Sequence, residues 1–405
     1  MNKLPLNGCK VLDLTRALAG PFCTMILADL GAEVTKVEPL PEGDMSRLWG
    51  PFAEEEGMYH LSTNRNKKSI AIDLRNDRGM GIVKKMALES DVLVENYKVG
   101  TTKQMGLDYE TLRTLNPKLI YGSITGFGRG GPYEMHPGFD QIAQGMSGLM
   151  SLTGIDSSCL RVGIPIADLV AGMWSAIGII SAILQRRSTD AGQQVETSLL
   201  AGLIGILSFQ GQRYLTLGEV ATSAGNDHPL LAPYGVFETK DGGINIAVGT
   251  EAIWAKFCRA LELEHLISSP DYADNSSRRR HAVKLKAQLE QSLKTKTKQE
   301  WWEILARAGV PAGPINTIGE ALSDPHVLET GRIESVSHPT IGLLRQLANP
   351  IQFSAASGPL SRTPPPLLGE HSLEILSRLG LSQPEISTLV TDGIVRDGRT
   401  AATTC

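Results

Sequence analysis

One aspartate stands alone in a long apolar stretch. From Gly163 to Gln185 the chain reads Gly-Ile-Pro-Ile-Ala-Asp-Leu-Val-Ala-Gly-Met-Trp-Ser-Ala-Ile-Gly-Ile-Ile-Ser-Ala-Ile-Leu-Gln, and Asp168 is its single ionisable residue. The composition predicts a buried helix. Pro165 and Asp168 both suit its start, Pro165 by its fixed φ and Asp168 by capping free N–H groups or meeting the positive end of the dipole. A carboxylate there is expected to be held ionised by backbone N–H groups in dry surroundings, where it could act as a nucleophile. The competing reading is a plain N-cap.

Other arrangements that could do chemistry are weaker. Gly126-Phe-Gly-Arg-Gly-Gly131 has the G-x-G-x-x-G spacing and follows a predicted strand. A dinucleotide fingerprint must open a helix that meets the pyrophosphate, whereas Pro132 and Pro137 follow here. A loop that lets a ligand or another segment approach closely fits better. The histidines are dispersed, without H-x-x-x-H or H-E-x-x-H, so no metal site is expected. Neither a G-x-S-x-G elbow nor a P-loop occurs. The run Asn64-Arg-Asn-Lys-Lys68 reads equally as a solvated turn or as a phosphate contact.

The elements that must position these residues follow from length and periodicity. A chain of 405 residues predicts two domains, and 41% hydrophobic with 20% charged residues describes a globular protein with a sizeable interior. The net charge of −4 gives no reason to expect nucleic acid or an anionic membrane as partner. Five scattered cysteines without C-x-x-C point to a reducing compartment. The first ten residues run into a strand pattern, which leaves no room for a targeting segment and predicts a cytoplasmic protein or a mature mitochondrial form. Strands near 11–14, 34–37, 69–72, 91–94 and 119–124 alternate with helices near 22–30, 79–89 and 109–115. Such alternation predicts a parallel sheet with ligands beyond the carboxyl ends of its strands. A hairpin over 234–249 and charged helices up to 308 predict a smaller α+β domain. From about Arg332 the chain reads as loop-rich, with short helices near 372–379 and 383–391. The division expected is a discontinuous large domain (1–200 and 331–405), a linker (201–224) and a small domain (225–330).

Several stretches together resemble the class III coenzyme A transferases, a family that also holds α-methylacyl-CoA racemase. They are Gly8–Pro21, Leu30–Glu38, Asn64–Asp73, Val94-Glu-Asn-Tyr97, Gly138–Gly148, Asp168 in its helix, and Pro-Pro-Pro-Leu-Leu-Gly-Glu-His371. The resemblance implies an α/β fold, with a Rossmann-like large domain and a smaller domain, in an interlocked homodimer. It matches Asp168 to the family's nucleophile. Its coenzyme A contacts fall on Arg16, Leu18, Ala19, Ile72, Arg75, Asn96, Tyr97, Lys103, Gln104 and Phe139, and its active-site loop on Gly249. Two arginines of the family pattern are Pro39 and Gln104 here, so Lys103, Arg75 or Arg47 must supply phosphate contacts.

The resemblance further implies that no cofactor is permanently bound, with a coenzyme A thioester as substrate. The racemase branch has a histidine where this chain has Phe139, and racemisation needs two opposed acid–base groups. Transfer is therefore expected, with racemisation or epimerisation of an acyl-CoA as the alternative. The likeness is greatest to the succinyl-CoA-dependent branch, typified by succinyl-CoA:glutarate CoA-transferase, whose acceptors are dicarboxylates such as glutarate or itaconate.

Overall fold

The computed structural model describes residues 4–155, 158–355 and 359–399. They fall into two compact units, one within Met1–Leu149, Arg161–Glu219 and His326–Cys405, the other within Met150–Leu160 and Val220–Pro325.

The first unit is built on a sheet whose parallel strands are β1 (Lys10–Asp13), β2 (Glu33–Pro39), β3 (Lys67–Ile72), β4 (Val92–Glu95), β5 (Ile120–Thr125) and β6 (Gln194–Ser198). Their spatial order, 3-2-1-4-5-6, is that of the doubly wound nucleotide-binding fold. The order reverses between β1 and β4, so the loops leaving those two strands border the crevice where such folds take ligands. A short strand, β7 (Val395–Arg396), closes the β3 edge antiparallel. Helices cover both faces: α1 (Ala19–Asp29) and α3 (Ile166–Thr189) lie in one core with Val11, Val92, Val94 and Ile120, while Ile82, Val83, Leu112 and Leu376 fill the other.

Long α3 is buried along one side, through Ala167, Ala171, Ala176, Ile179 and Ile183. Its other side leaves Met173, Trp174, Ile177 and Leu184 exposed. The expected fully buried helix is therefore a half-buried one, and the surplus apolar residues form a face of their own. Residues 201–224 carry the helices Leu199–Gly205 and Ser208–Leu217, with Ile204, Phe209, Tyr214 and Leu217 likewise exposed. The stretch after Arg332, read as loop, begins with an antiparallel hairpin of Ile333–His338 and Gly342–Leu347. Its polar side chains hid the alternation that marks a strand.

Ionic pairs stitch the sheet from within. Lys67 reaches Asp13 at 3.0 Å, Lys36 reaches Asp44 at 2.8 Å, and Arg47 binds Glu38 through two bonds of 2.7 and 2.8 Å. Burial raises the Glu38 carboxyl, yet the Arg47 guanidinium outweighs it and holds the group far below its ordinary value. The Asn64–Lys68 run is neither a solvated turn nor a phosphate contact. Arg65 grips buried Asp29 at 3.0 and 2.6 Å, Asn66 bonds Asp29 and the Leu360 carbonyl, and Lys67 also bonds Pro21 and Asn64. It ties α1 to the C-terminal segment.

The second unit is a three-stranded antiparallel sheet, Tyr234–Glu238, Gly243–Ala247 and Ala312–Pro314, under the helices Glu251–Ala260, Ala282–Leu293 and Lys298–Ala308. Trp254, Phe257, Leu289, Trp301 and Leu305 form its core.

Removing one partner of a buried ion pair strands the other charge. Arg65→Met is therefore expected to destabilise the first unit by about 3–5 kcal/mol, measured as a lower urea midpoint of its unfolding transition.

Candidate active site

Asp168 occupies the first turn of α3, which starts at Ile166 after Pro165. Its carboxylate does not cap the helix. That place is taken by Asp140, the first residue of α2 (Asp140–Met146), whose Oδ1 accepts the Ala167 N–H at 2.8 Å. Asp140 Oδ2 accepts from Gln144 Nε2 at 2.7 Å, and buried Gln144 in turn accepts the Val162 N–H at 2.9 Å. Asp168 is left half-buried, beside a second carboxylate, with no hydrogen bond among the described residues. Burial, followed by repulsion from Asp140, pushes its pKa up to about 7 from an ordinary 3.8. The expectation of a carboxylate held ionised by backbone N–H groups is thus reversed, because a neighbour took the donor. An under-solvated carboxylate that is partly ionised at neutral pH is a nucleophile without competing partners.

Gly172, one turn along α3 from Asp168, brings α1 close. A Cβ there would lie 2.6 Å from the Ala19 carbonyl oxygen, so only glycine admits the approach. The start of α1, with Ala19, is thereby held against α3 about one helical turn from Asp168. The loop before it, Thr15–Leu18, leaves β1 at the switch point. It borders a cavity of about 540 Å³ lined by Arg16, Pro39, Leu40, Glu42, Leu74, Arg75, Tyr97 and Thr101, among others. The Arg16 guanidinium lies over the Tyr97 ring at 5.1 Å, and its buried Nε has no hydrogen-bond partner among the described residues. Burial keeps the Tyr97 hydroxyl protonated beyond its ordinary range.

The sequence-predicted contacts divide accordingly. Arg16, Arg75 and Tyr97 line this cavity together. Asn96 uses both ends of its amide on the Arg16 backbone, at 2.8 Å each, and so holds the loop. Ile72 is fully buried in β3, Leu18 is buried at the start of α1, and Lys103 and Gln104 are exposed on the helix Thr101–Met105. Phe139 is exposed just before α2, and Gly249 lies in the second unit after the strand Gly243–Ala247. Arg47 is excluded as a phosphate contact, since Glu38 and the Pro366 carbonyl hold its guanidinium in the interior. No helix opens at the Gly126–Gly131 loop. Gly126 packs instead on Gly138, where a Cβ would come within 2.7 Å of the facing Cα. No cluster of metal-ligating side chains occurs among the described residues. Sequence reasoning missed Asp140, which the Asp140–Gln144 spacing of i and i+4 made visible as a helical pair.

The family model for CoA-transferase family III matches residues 6–372. The chain belongs to this family. It is 38% identical over 399 residues to human succinyl-CoA:glutarate CoA-transferase, covering 98% of this chain and 91% of that one. It is 37% identical to the succinate–glutarate CoA-transferase of Agrobacterium fabrum, covering 93% and 96%. The crystal structure of a CAIB/BAIF family protein from Brucella suis superposes with a TM-score of 0.85 at 39% identity, over 94% of this chain and all of that one. As a family III CoA-transferase, the enzyme acts on coenzyme A thioesters.

The raised Asp168 pKa links to stability. The folded chain binds this proton more tightly than the unfolded chain, so the carboxyl costs nothing below about pH 4 and destabilises increasingly up to about pH 7. Asp168→Asn is therefore expected to raise the melting temperature at pH 8 and leave it nearly unchanged at pH 4, as read by thermal-shift assay.

Proposed function

We propose that the enzyme moves CoA from an acyl-CoA donor, succinyl-CoA, to a dicarboxylic acid such as glutarate, through an aspartyl-CoA thioester on Asp168. The observation that carries the reading is the carboxylate of Asp168, freed from capping by Asp140 and raised to about 7, one turn from Gly172, where α3 meets the start of α1. The names of the human and Agrobacterium relatives support the choice of substrates.

An Asp168 oxygen attacks the thioester carbonyl; the C–S bond breaks and CoA leaves as thiolate, giving a mixed anhydride. The thiolate then attacks the aspartyl carbonyl, which releases the donor carboxylate and leaves CoA on Asp168. The acceptor carboxylate attacks that thioester, and the returning thiolate takes the acceptor acyl group, restoring the Asp168 carboxylate. Every step exchanges one acyl oxygen or sulfur for another, so the protein's work is to position, to stabilise the oxyanions and to exclude water. Gly249 is the proposed loop contribution to that site. Phe139 carries no proton, which removes the second acid–base group that racemisation requires.

The partner we propose is a second copy of the chain. Met173, Trp174, Ile177 and Leu184 on α3 and the exposed Ile204, Phe209 and Leu217 that follow are large apolar side chains left in water, which a second copy would cover. Gel filtration with light scattering is expected to give twice the mass of the 43.6 kDa chain.

The mechanism requires ionised Asp168. For the free enzyme, kcat/KM for succinyl-CoA is expected to rise with pH and level off above about 7, the pKa of the carboxyl. Incubation with succinyl-CoA, then hydroxylamine, is expected to label the peptide that holds Asp168. Asp168→Ala is expected to lower transfer by about 10⁴ or more. Undiminished transfer by that variant, or label on another peptide, overturns the reading.

A further inference from the structure

The turn that aims Arg16 at the cavity holds its shape against the local preference of the chain. Ala17 has φ of +64°, in the left-handed region that L-residues other than glycine avoid. Its neighbours leave nothing to chance, because each of four successive backbone groups meets a side chain from elsewhere in the sheet. The Thr15 carbonyl accepts from Lys36 Nζ at 2.8 Å. The Arg16 N–H and carbonyl pair with the Asn96 amide. The Ala17 N–H donates to Asp44 Oδ1 at 2.9 Å. Asp44 is itself fixed: its Oδ1 also accepts the Ser46 N–H at 2.9 Å, and Lys36 sits 2.8 Å from its Oδ2. Both members of the Lys36–Asp44 pair are almost wholly buried. Neither lines the cavity, and neither can reach a ligand.

A buried ion pair is a poor device for stability alone, since a packed apolar pair does as well. It is well suited to fixing one backbone geometry. Here the geometry it fixes puts an arginine with an unpartnered, buried Nε on the wall of the cavity and places Leu18 and Ala19 against α3.

We propose that Asp44, backed by Lys36, is a positioning residue for the acyl-CoA substrate: it locks Ala17 in the left-handed conformation that turns Arg16 toward a phosphate or carbonyl oxygen of coenzyme A. The inference rests on the reading of this cavity as the coenzyme A site. Nothing in it requires Asp44 to touch substrate; its effect passes through the Ala17 N–H.

Replacing alanine by glycine removes the steric objection to positive φ, so the clamp can be tested by making it unnecessary. In Asp44→Asn an amide cannot accept from Ala17 and from Lys36 together without turning an N–H toward one of them. Its KM for succinyl-CoA and its Kd for coenzyme A by calorimetry are expected to rise about 5- to 30-fold, the factor that corresponds to the left-handed penalty, while kcat stays within about threefold. Ala17→Gly in the Asp44→Asn background is expected to restore both constants to within about threefold of wild type. A role confined to folding gives no such rescue. Ala17→Val leaves every buried charge in place and carries the same test if Asp44→Asn does not fold; it is expected to weaken coenzyme A at least as much.

Unchanged coenzyme A affinity in Asp44→Asn or Ala17→Val overturns the proposal, as does failure of Ala17→Gly to rescue a folded Asp44→Asn. Wild-type enzyme that transfers no CoA and binds none would instead overturn the functional reading beneath it, and the clamp with it.

Discussion

The hydrogen bond from the Ala167 N–H to Asp140 decides the character of the site. A helix N-terminus offers a few unpaired N–H groups and a positive field, and a carboxylate that takes them satisfies the helix end. In this chain the neighbour takes them, and the aspartate inside the helix keeps its negative charge only with difficulty. Of two neighbouring carboxylates, one thus holds the helix start and the other is left without a hydrogen bond among the described residues. Exchange their bonding and Asp168 becomes an ordinary cap.

Around that bond the fold supplies two further constraints. Gly172 allows the start of α1 to come close to α3, one turn along from Asp168. The strand order 3-2-1-4-5-6 then sets the loop leaving β1 beside the one leaving β4, so Arg16 meets Tyr97 and Asn96 from across the crevice. Charges are used on the inside of this unit to fix backbone, as with Asp29 and Arg65, and at the cavity wall beside the crevice, as with Arg16 and Arg75. The same residue types serve both ends, and burial separates them.

Much of this was legible in the sequence. Alternating apolar runs marked five parallel strands within a residue or two, and the isolation of Asp168 in an apolar stretch singled it out before any geometry. What stayed hidden was pairing over long separations. Nothing in Asn64–Lys68 says that its cations will meet Asp29, Asp13 and a carbonyl nearly three hundred residues away at Leu347. Arg47 reads as a free cation until Glu38 is seen around it. The sign of the Asp168 shift was misjudged for a related reason, since a helix position predicts donors but not which acceptor wins them. The hairpin after Arg332 escaped because its buried side alternates a hydrophobic Val336 with a polar His338, which blurs the period-2 signal.

The pairing of β7 with β3 sets an order on biosynthesis. Lys67–Ile72 is the outermost parallel strand, and the open edge of its Ala71 and Ile72 is paired by Arg396 and Val395, more than three hundred residues later in the chain. A ribosome thus releases every other strand of this sheet before the one that seals it. Until then the nascent chain carries a bare row of amides and carbonyls, the kind of edge that recruits other chains. The final two-residue strand works as a latch, and it is the last part of the sheet to be made.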